Sequence, residues 1–236
     1  MRSLPLAGAT DVTVTLGKNR LLDDVTLPLH AGRVHALVGM SGAGKTTLAR
    51  ALAGHLPERA RVDGDLWGQH HVSLIPQNPA DTFTPVRKVA PQLREIPRPA
   101  GAPTVEQALA AAGLSPNAAN RFPHQLSVGM AQRCAIAAAL LTNRSVLIAD
   151  EPTSALDLEH ADTVYRLLRT IAEQGKAVLL VTHDLRAVVR SGQCDTITVM
   201  ERGRVVDHGP IPDVLAREST PGVQELFAAA GVMPDA

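Results

Sequence analysis

Aromatic residues are scarce in this sequence: they occupy only 2% of its 236 positions, so the core has to be built from aliphatic side chains. Hydrophobic residues nevertheless make up 45% of the chain, which is typical of a globular protein and excludes a disordered one. The formal net charge is zero, which argues against a dedicated nucleic-acid-binding protein. Length and composition therefore predict one large domain or two lobes around a sizeable core.

Cysteine is almost absent as well, and the two cysteines, Cys134 and Cys194, do not have the spacing of a metal site. Such sparse use favours a reducing, cytosolic setting, and the apolar neighbours of Cys134 predict a buried, inert thiol. We recognise no secretory signal and no run near the roughly 20 apolar residues that a membrane-spanning helix requires. We therefore expect a soluble protein that would work at a membrane only through a partner.

One stretch matches a known chemical motif: residues 39–46 read Gly-Met-Ser-Gly-Ala-Gly-Lys-Thr, the pattern G-x-x-x-x-G-K-T of a phosphate-binding loop. A β-rich run precedes it and a helical run follows it, which is the context the motif requires. Glycines let backbone N–H groups approach an anion closely, and the helix N-terminus attracts negative charge. Lys45 would contact the β- and γ-phosphates, and the Thr46 hydroxyl would bind Mg²⁺. An ordinary glycine-rich turn is the alternative, which the Lys-Thr pair and the flanking runs disfavour.

The hydrophobic pattern predicts two kinds of sheet. Alternating residues at 11–16 and 24–29 predict a small antiparallel sheet. The segment 54–68 separately predicts a short strand pair around 62–66. Apolar strands that alternate with helices predict a parallel α/β core. We place these strands at 33–38, 72–75, 145–149 and 177–181, and the helices at 46–52, 104–113, 127–141, 158–174 and 184–191.

Three further segments complete the prediction. The proline-rich stretch 78–103 predicts loops and short helices that project from the core without being part of it. Residues 196–200 and 204–207 predict a hairpin, and the tail 211–231 predicts two short helices. Thr104 and Ser127 are candidate N-caps of the helices that follow them. On the helix at 127–141, Ala131, Cys134, Ala135, Ala138 and Leu141 fall on a common face.

Four polar residues at strand ends are candidates for chemistry. Asp150 ends a buried strand, which favours a second Mg²⁺ anchor, and Glu151 is a candidate general base. The alternative is that this acidic pair only caps the next segment. His183 follows the next strand, at the edge where α/β sites gather, although a lone histidine is more often structural. Gln77 also follows a predicted strand and is uninformative by itself.

In sequence order, six features together resemble the ATPase subunits of ABC transporters: the phosphate loop, Gln77, Leu-Ser-Val-Gly-Met at 126–130, Asp150-Glu151, Ser-Ala-Leu-Asp at 154–157 and His183. The resemblance covers residues 10–226. It implies an α/β P-loop NTPase fold with a mostly parallel sheet core, a small antiparallel β lobe and a helical subdomain. The whole chain, 1–236, would be a single ATPase domain. Residues 1–76 and 144–210 would form the core and β lobe, 78–143 the helical subdomain with the signature helix, and 211–236 a tail.

The resemblance also implies roles for individual residues. Gln77 would form the Q-loop, residues 126–130 the signature, residues 154–157 the D-loop, and His183 the switch histidine. Catalysis would depend on Glu151, His183 and Gln77, and Mg²⁺ would be held by Thr46, Gln77 and Asp150. ATP would be contacted by Gly39, Ser41, Gly42, Ala43, Gly44, Lys45, Thr46, Thr47 and Leu16, and by Ser127 and Gly129 from the signature of a second subunit.

The motif Gln-Asn-Pro at 77–79, together with residues 83–85, 122–127 and 147–157, is similar to the oligopeptide, dipeptide and nickel importer ATPases. This implies ATP-driven import of peptides, nickel or a related small solute. The implied partners are a second ABC ATPase subunit (a different chain or a second copy), two transmembrane permease subunits and, indirectly, an extracytoplasmic binding protein. The implied location is the cytoplasmic face of the membrane. A regulatory or mechanical ABC ATPase without transport, or a structural subunit with little catalysis, are the alternatives.

Three departures from the family pattern are visible. Val128 stands where the signature has glycine, and its branched side chain would weaken the contact with a partner's ATP. Leu16 stands where an aromatic residue usually stacks on adenine, a contact that contributes roughly 1–3 kcal/mol on aromatic platforms. The segment 66–75 is also shorter than in most relatives, which predicts a trimmed antiparallel lobe.

Overall fold

Two β-sheets form the framework of the fold in the computed structural model, which describes residues 4–217 and 221–231. In this part of the chain the strands are β1 (Pro5–Leu16), β2 (Asn19–His30), β3 (Val34–Val38), β4 (Ala60–Trp67), β5 (Val72–Ile75), β6 (Val146–Asp150), β7 (Ala177–Thr182), β8 (Thr196–Glu201) and β9 (Arg204–Pro210). The helices are α1 (Lys45–Leu52), α2 (Val89–Glu95), α3 (Val105–Ala111), α4 (Val128–Leu141), α5 (Leu158–Glu173), α6 (Leu185–Ser191), α7 (Ile211–Leu215) and α8 (Pro221–Ala230).

The antiparallel sheet has the order β2-β1-β4 and confirms the predicted lobe. The predicted strand pair around 62–66 is wrong, because this segment forms the single strand β4, which pairs with β1. A local pattern cannot reveal a partner that lies about 50 residues away along the chain. Gly8 makes the pairing possible, since a Cβ there would lie 2.5 Å from a ring carbon of Trp67.

The core sheet has the order β5-β6-β7-β3-β8-β9 and confirms the predicted parallel α/β core. All pairs are parallel except β8 with β9, the predicted hairpin. Every residue of β3, β6 and β7 is buried, as their continuous apolar runs predicted. Because neighbouring strands run in the same direction, Val38, Asp150 and Thr182 reach the same edge of the sheet.

The helices α2, α3 and α4 lie between β5 and β6 in the chain and pack against one another. Thr104 caps α3 through a capping box with Gln107, and the Ser127 side chain accepts a hydrogen bond from the Met130 N–H, so both predicted caps are confirmed. Caps of this kind each contribute about 1 kcal/mol to helix stability.

One prediction about this helical region is wrong. Stretch 78–103 does contain a short helix, but α2 is part of the core, with Val89 and Leu93 fully buried. Pro91 is compatible with this helix because it lies in the first turn. The predicted common face of α4 is buried at Cys134, Ala135, Ala138 and Leu141. Packing of α4 against α2, α3 and β5 accompanies burial of Ile136, Ala137 and Leu140 as well.

Cys134 in α4 is fully buried, as predicted, and burial raises the pKa of its thiol to about 11. The two predicted tail helices are α7 and α8. In the described ranges 4–217 and 221–231, none of the helices combines the length and apolarity needed to cross a membrane.

Candidate functional site

The phosphate loop joins β3 to α1 in a conformation that depends on glycine. Gly44 has φ 103° immediately before the helix, a left-handed value that other residues rarely adopt. Gly39 has φ 156°, and a Cβ there would lie 2.3 Å from the carbonyl oxygen of Met200 in β8. The loop can therefore lie against β8 and turn into α1 only because glycine occupies these positions.

Lys45 lies inside the loop and is only 7% exposed. Its Nζ donates hydrogen bonds to the carbonyl oxygens of Gly39, at 2.8 Å, and Met40, at 3.1 Å. Burial lowers the pKa of Lys45, and the carboxylates of Glu151 and Asp150 oppose this change. The ammonium group is thus held at the centre of the loop by weak neutral acceptors that an anion can replace.

Asp150 ends β6 next to the loop and is 4% exposed. The Thr46 hydroxyl donates a hydrogen bond of 3.3 Å to Asp150 Oδ1. Burial raises the pKa of Asp150, and the Thr46 hydrogen bond opposes this rise. A buried carboxylate beside a hydroxyl is an oxygen-only donor set of the kind that Mg²⁺ prefers.

This pair does not form a complete metal cage. No group of three or more His, Cys, Asp or Glu side chains suited to a metal occurs in the part of the chain that the structure describes. Mg²⁺ typically takes one or two protein ligands and completes its shell with water and substrate phosphates. The residues present therefore fit a Mg²⁺ ion that arrives with a phosphorylated ligand.

Glu151 and His183 form a hydrogen-bonded pair at the same edge of the sheet. His183 Nδ1 lies 2.8 Å from Glu151 Oε1, and the Thr182 hydroxyl lies 3.4 Å from Oε2. Glu151 has φ 50°, and its N–H donates a 2.8 Å hydrogen bond to the Val181 carbonyl. A positive φ at a non-glycine residue costs free energy and clusters at functional sites. Here it directs a carboxylate that is only 8% exposed toward the phosphate loop.

A cavity of about 1030 Å³ brings most of the predicted site residues together. Its walls include Ser41, Gly42, Ala43, Gly44, Lys45, Thr46, Thr47, Gln77, Glu151 and His183. Asp150 is connected to this set through Thr46. Gln77 becomes informative only here, since β5 and β6 are neighbours in the sheet and Gln77 lines the same cavity as Glu151.

The cavity also has walls that sequence reasoning missed. They come from the start of β2, position 40 of the phosphate loop, the turn after β8, the start of α6 and the tail helix α8. They comprise Arg20, Leu21, Met40, Asp184, Leu185, Arg186, Arg202, Gly203, Leu226 and Ala230. No motif signal identifies α8 as a neighbour of the phosphate loop. The sequence could have indicated that Arg186 lies near the site, because it follows the candidate residue His183 by three positions.

Five predicted residues do not line this cavity. Two of them adjoin it: Asp150 through Thr46, and Gly39, which lines a smaller cavity of about 220 Å³ on the other side of the loop. The other three lie farther away. Leu16 is 36% exposed and lines a separate depression with Gly17, Arg59 and Arg61. Ser127 and Gly129 lie at the start of α4, where a Cβ on Gly129 would lie 3.4 Å from the His160 ring and 3.6 Å from Leu156. The signature segment therefore packs against the region after Asp150-Glu151 and does not reach the phosphate loop of its own chain.

Comparison with known proteins agrees with this geometry. Residues 22–154 match the ABC transporter family. A methionine import ATP-binding protein, MetN 2 of Salmonella choleraesuis (strain SC-B67), is 40% identical over 227 residues, which cover 89% of this chain and 66% of that protein. The nickel import ATP-binding protein NikD of Brucella abortus biovar 1 (strain 9-941) is 34% identical over 243 residues, covering 94% and 91%. The chain thus spans slightly less than two thirds of the methionine relative but most of the nickel relative.

Solved structures show the same fold. A nucleotide-free ATP-binding cassette from an ABC transporter superimposes with a TM-score of 0.75 at 20% identity, covering 95% of this chain and 99% of that one. A dimeric cassette in a post-hydrolysis state, bound to ADP and Pi, gives a TM-score of 0.71 at 26% identity, covering 87% and 98%. The family match covers more than half of the chain, and the NikD relative aligns over nearly all of it. This chain therefore belongs to the ABC transporter family and has the fold of its ATP-binding cassettes.

Proposed function

We propose that this chain is the ATP-binding and ATP-hydrolysing subunit of an ABC importer. The observation that carries the proposal is the 2.8 Å contact between Glu151 and His183 in the same cavity as Lys45 and Thr46. A phosphate loop alone would bind a nucleotide, whereas a buried, oriented carboxylate beside it can also take a proton from water.

Phosphate binding is assigned to the loop and to Lys45. Backbone N–H groups at the start of α1 would donate to the β- and γ-phosphates, and the helix dipole adds a favourable field. Lys45 would exchange the carbonyl oxygens of Gly39 and Met40 for phosphate oxygens. The exchange is favourable because a charged acceptor forms a stronger hydrogen bond than a neutral carbonyl.

Thr46, Asp150 and Gln77 would hold Mg²⁺, which neutralises charge on the phosphates when it is bound. Burial of Asp150 supports this role, since an unpaired buried carboxylate is unfavourable and a cation would compensate for it.

Glu151 would accept the proton of the attacking water as a general base. The hydrogen bond from His183 Nδ1 fixes the carboxylate, and the backbone bond from Glu151 N–H to Val181 fixes the main chain. His183 keeps its second ring nitrogen for the water or the γ-phosphate, because its side chain is 61% exposed and faces the cavity.

The position of Ser127 and Gly129 supports a site completed by a second cassette, since this segment lies outside the cavity of its own chain. The second cassette would be another ABC ATPase chain or a second copy of this one. Two permease subunits would hold the pair at the cytoplasmic face of the membrane, and an extracytoplasmic binding protein would deliver the solute. The names of the relatives, nickel import and methionine import, support a small solute as cargo. Nickel is favoured because the match covers 91% of the nickel relative's own length, compared with 66% of the methionine relative's.

The central experiment compares Glu151→Gln with the wild type and with Lys45→Ala. Glu151→Gln should retain ATP binding and lose turnover, because the amide keeps the shape but not the basicity of the carboxylate. Lys45→Ala should lose both. Normal ATP hydrolysis by Glu151→Gln would show that Glu151 is not the general base. A separate test asks whether the wild-type chain co-purifies with two multi-span membrane proteins. Failure to do so would favour an ABC ATPase without transport.

A further inference from the structure

The two-residue turn between β8 and β9 is bonded to the phosphate loop, although none of the sequence motifs includes it. Glu201 pairs with Arg204 across the hairpin, so Arg202 and Gly203 form the turn, with φ values of 50° and 83°. Positive φ at both central residues is what a two-residue type I′ turn requires. The hairpin therefore presents the backbone of Gly203 in one defined orientation.

Gly203 connects the phosphate loop with the antiparallel lobe through its own backbone. Its N–H donates a 2.9 Å hydrogen bond to the carbonyl oxygen of Ala43 in the loop. Its carbonyl oxygen accepts a 2.9 Å hydrogen bond from the Asp23 N–H in β2. The Asp23 carboxylate pairs with Arg204, the residue after Gly203, and with Arg20 at 2.8 Å. The turn is thus fixed between the loop and β2 by backbone hydrogen bonds and by an ion pair.

The packing at position 203 leaves room only for glycine. A Cβ there would lie 2.7 Å from the carbonyl oxygen of Leu21 in β2, and the φ of 83° disfavours other residues as well. Gly44 meets the turn from the loop side, because a Cβ on Gly44 would lie 3.3 Å from the Gly203 Cα. Three backbone segments therefore approach one another here more closely than side chains would allow.

The hydrogen bond to Ala43 also orients the next N–H group of the loop. The Ala43 carbonyl and the Gly44 N–H belong to one planar trans peptide, so they point in opposite directions. Since the carbonyl points toward Gly203, the Gly44 N–H points away from the turn. Gly44 lines the 1030 Å³ cavity, and its N–H donates to no other residue in the described part of the chain. This N–H is therefore available to an anion.

We propose that Gly203 is a positioning residue of the nucleotide site, which by binding the Ala43 carbonyl directs the Gly44 N–H toward the phosphates of the ligand. The proposal rests on the nucleotide binding proposed above. A donor that is already oriented binds an anion without the cost of ordering it first. Misdirecting one hydrogen bond to a charged group weakens binding by roughly tenfold or more.

The test uses the full chain with Gly203→Ala and, as a matched control, Gly175→Ala in the turn before β7. Gly175 has a similar φ of 93°, but a Cβ there would meet no atom within 4 Å. Both variants therefore carry backbone strain, whereas only Gly203→Ala displaces a turn that is bonded to the loop. Affinities are measured for inorganic tripolyphosphate and for a non-hydrolysable ATP analogue, and urea unfolding shows which variants are folded. Gly203→Ala should raise both dissociation constants by roughly tenfold, and Gly175→Ala should keep those of the wild type.

Hydrogen exchange in the wild type tests the contact without any substitution. The Gly203 amide should exchange slowly before ligand is added, because it donates to the Ala43 carbonyl. Tripolyphosphate should slow exchange of the Gly44 amide, because this group then donates to phosphate.

Unchanged affinity of a folded Gly203→Ala, or an equal loss in Gly175→Ala, would overturn the proposal. A loss restricted to the ATP analogue would do the same, because it would indicate contact with the base or ribose. Rapid exchange of the wild-type Gly203 amide, or a Gly44 amide that does not respond to tripolyphosphate, would also overturn it, even if Gly203→Ala fails to fold. If the wild type binds neither ligand, the nucleotide site proposed above fails and this inference falls with it. Wild-type binding that Lys45→Ala abolishes supports that site whatever the result for Gly203→Ala.

Discussion

Mild acid is expected to destabilise this protein through His35, a buried histidine in the strand that leads into the phosphate loop. His35 is 6% exposed, with Nε2 2.8 Å from the Thr198 hydroxyl and Nδ1 2.7 Å from the Thr196 hydroxyl. The His208 ring stacks at 5.6 Å between centroids. Burial, reinforced by His208 and His30 and opposed by Asp195, lowers the pKa of His35 from 6.5 to about 3.

The sign of the effect follows from the direction of this pKa change. The folded pKa lies below the unfolded one, so the unfolded chain binds the proton more readily. The stability that neutral His35 contributes is complete above pH 6.5 and is lost as the pH falls toward 3. At pH 5 the solution is about 1.5 pH units below the pKa of His35 in the unfolded chain. Each unit corresponds to about 1.4 kcal/mol, so the free energy of unfolding falls by about 2 kcal/mol.

Urea unfolding of the wild type, His35→Gln and His55→Gln at about pH 7.5 and about pH 5 measures this loss. Glutamine keeps a donor and an acceptor for the two threonine hydroxyls but does not titrate. Between the two pH values the wild type should lose about 2 kcal/mol more than His35→Gln. His55→Gln, which replaces an exposed histidine, should follow the wild type. An equal loss in the wild type and His35→Gln would refute the reasoning, because carboxylates and His208 titrate in both.

Three further predictions concern the site and its support. Val128 is 49% exposed at the first position of α4, and we expect it to slow ATP hydrolysis at the site of the partner subunit. Val128→Gly should therefore raise ATP turnover in the assembled transporter. Unchanged turnover would count against this role. Asp150→Asn should weaken ATP binding in Mg²⁺ but not in excess chelator, and equal weakening in both would remove Asp150 as a metal ligand. Thr104→Ala should lower the free energy of unfolding by about 1 kcal/mol, measured by urea, because the capping box of α3 is lost; no change would show that the cap is not required.

Much of the local structure could be predicted because short-range physics encodes it. Glycine spacing at Gly39 and Gly44 determines the phosphate loop, since only glycine has the required backbone freedom there. Continuous apolar runs identified β3, β6 and β7, because strands buried on both faces need no polar residues. The N-caps Thr104 and Ser127 could be identified because each places a side-chain hydroxyl, which can accept a hydrogen bond, directly before a helical apolar run.

Tertiary pairing decided what the local pattern left open. Segment 60–67 reads like half of a local hairpin, yet its partner is β1, because hydrogen bonding between strands carries no short-range sequence signal. The pattern of α4 predicted a common face of small and apolar residues, but it did not reveal that Ile136, Ala137 and Leu140 are buried too, since this depends on how α2, α3 and β5 pack around the helix.

The candidate site shows the same division between sequence and tertiary structure. The sequence by itself determined which residues are the candidates for the chemistry, because the order of motifs points to Lys45, Asp150, Glu151 and His183 without any coordinates. Only the folded chain decided that Glu151 meets His183 at 2.8 Å, because this contact depends on β6 and β7 being neighbours in the sheet. It also decided that Leu16 lies outside the cavity while α8 lies on it, since packing between segments far apart in the chain is a property of the whole fold.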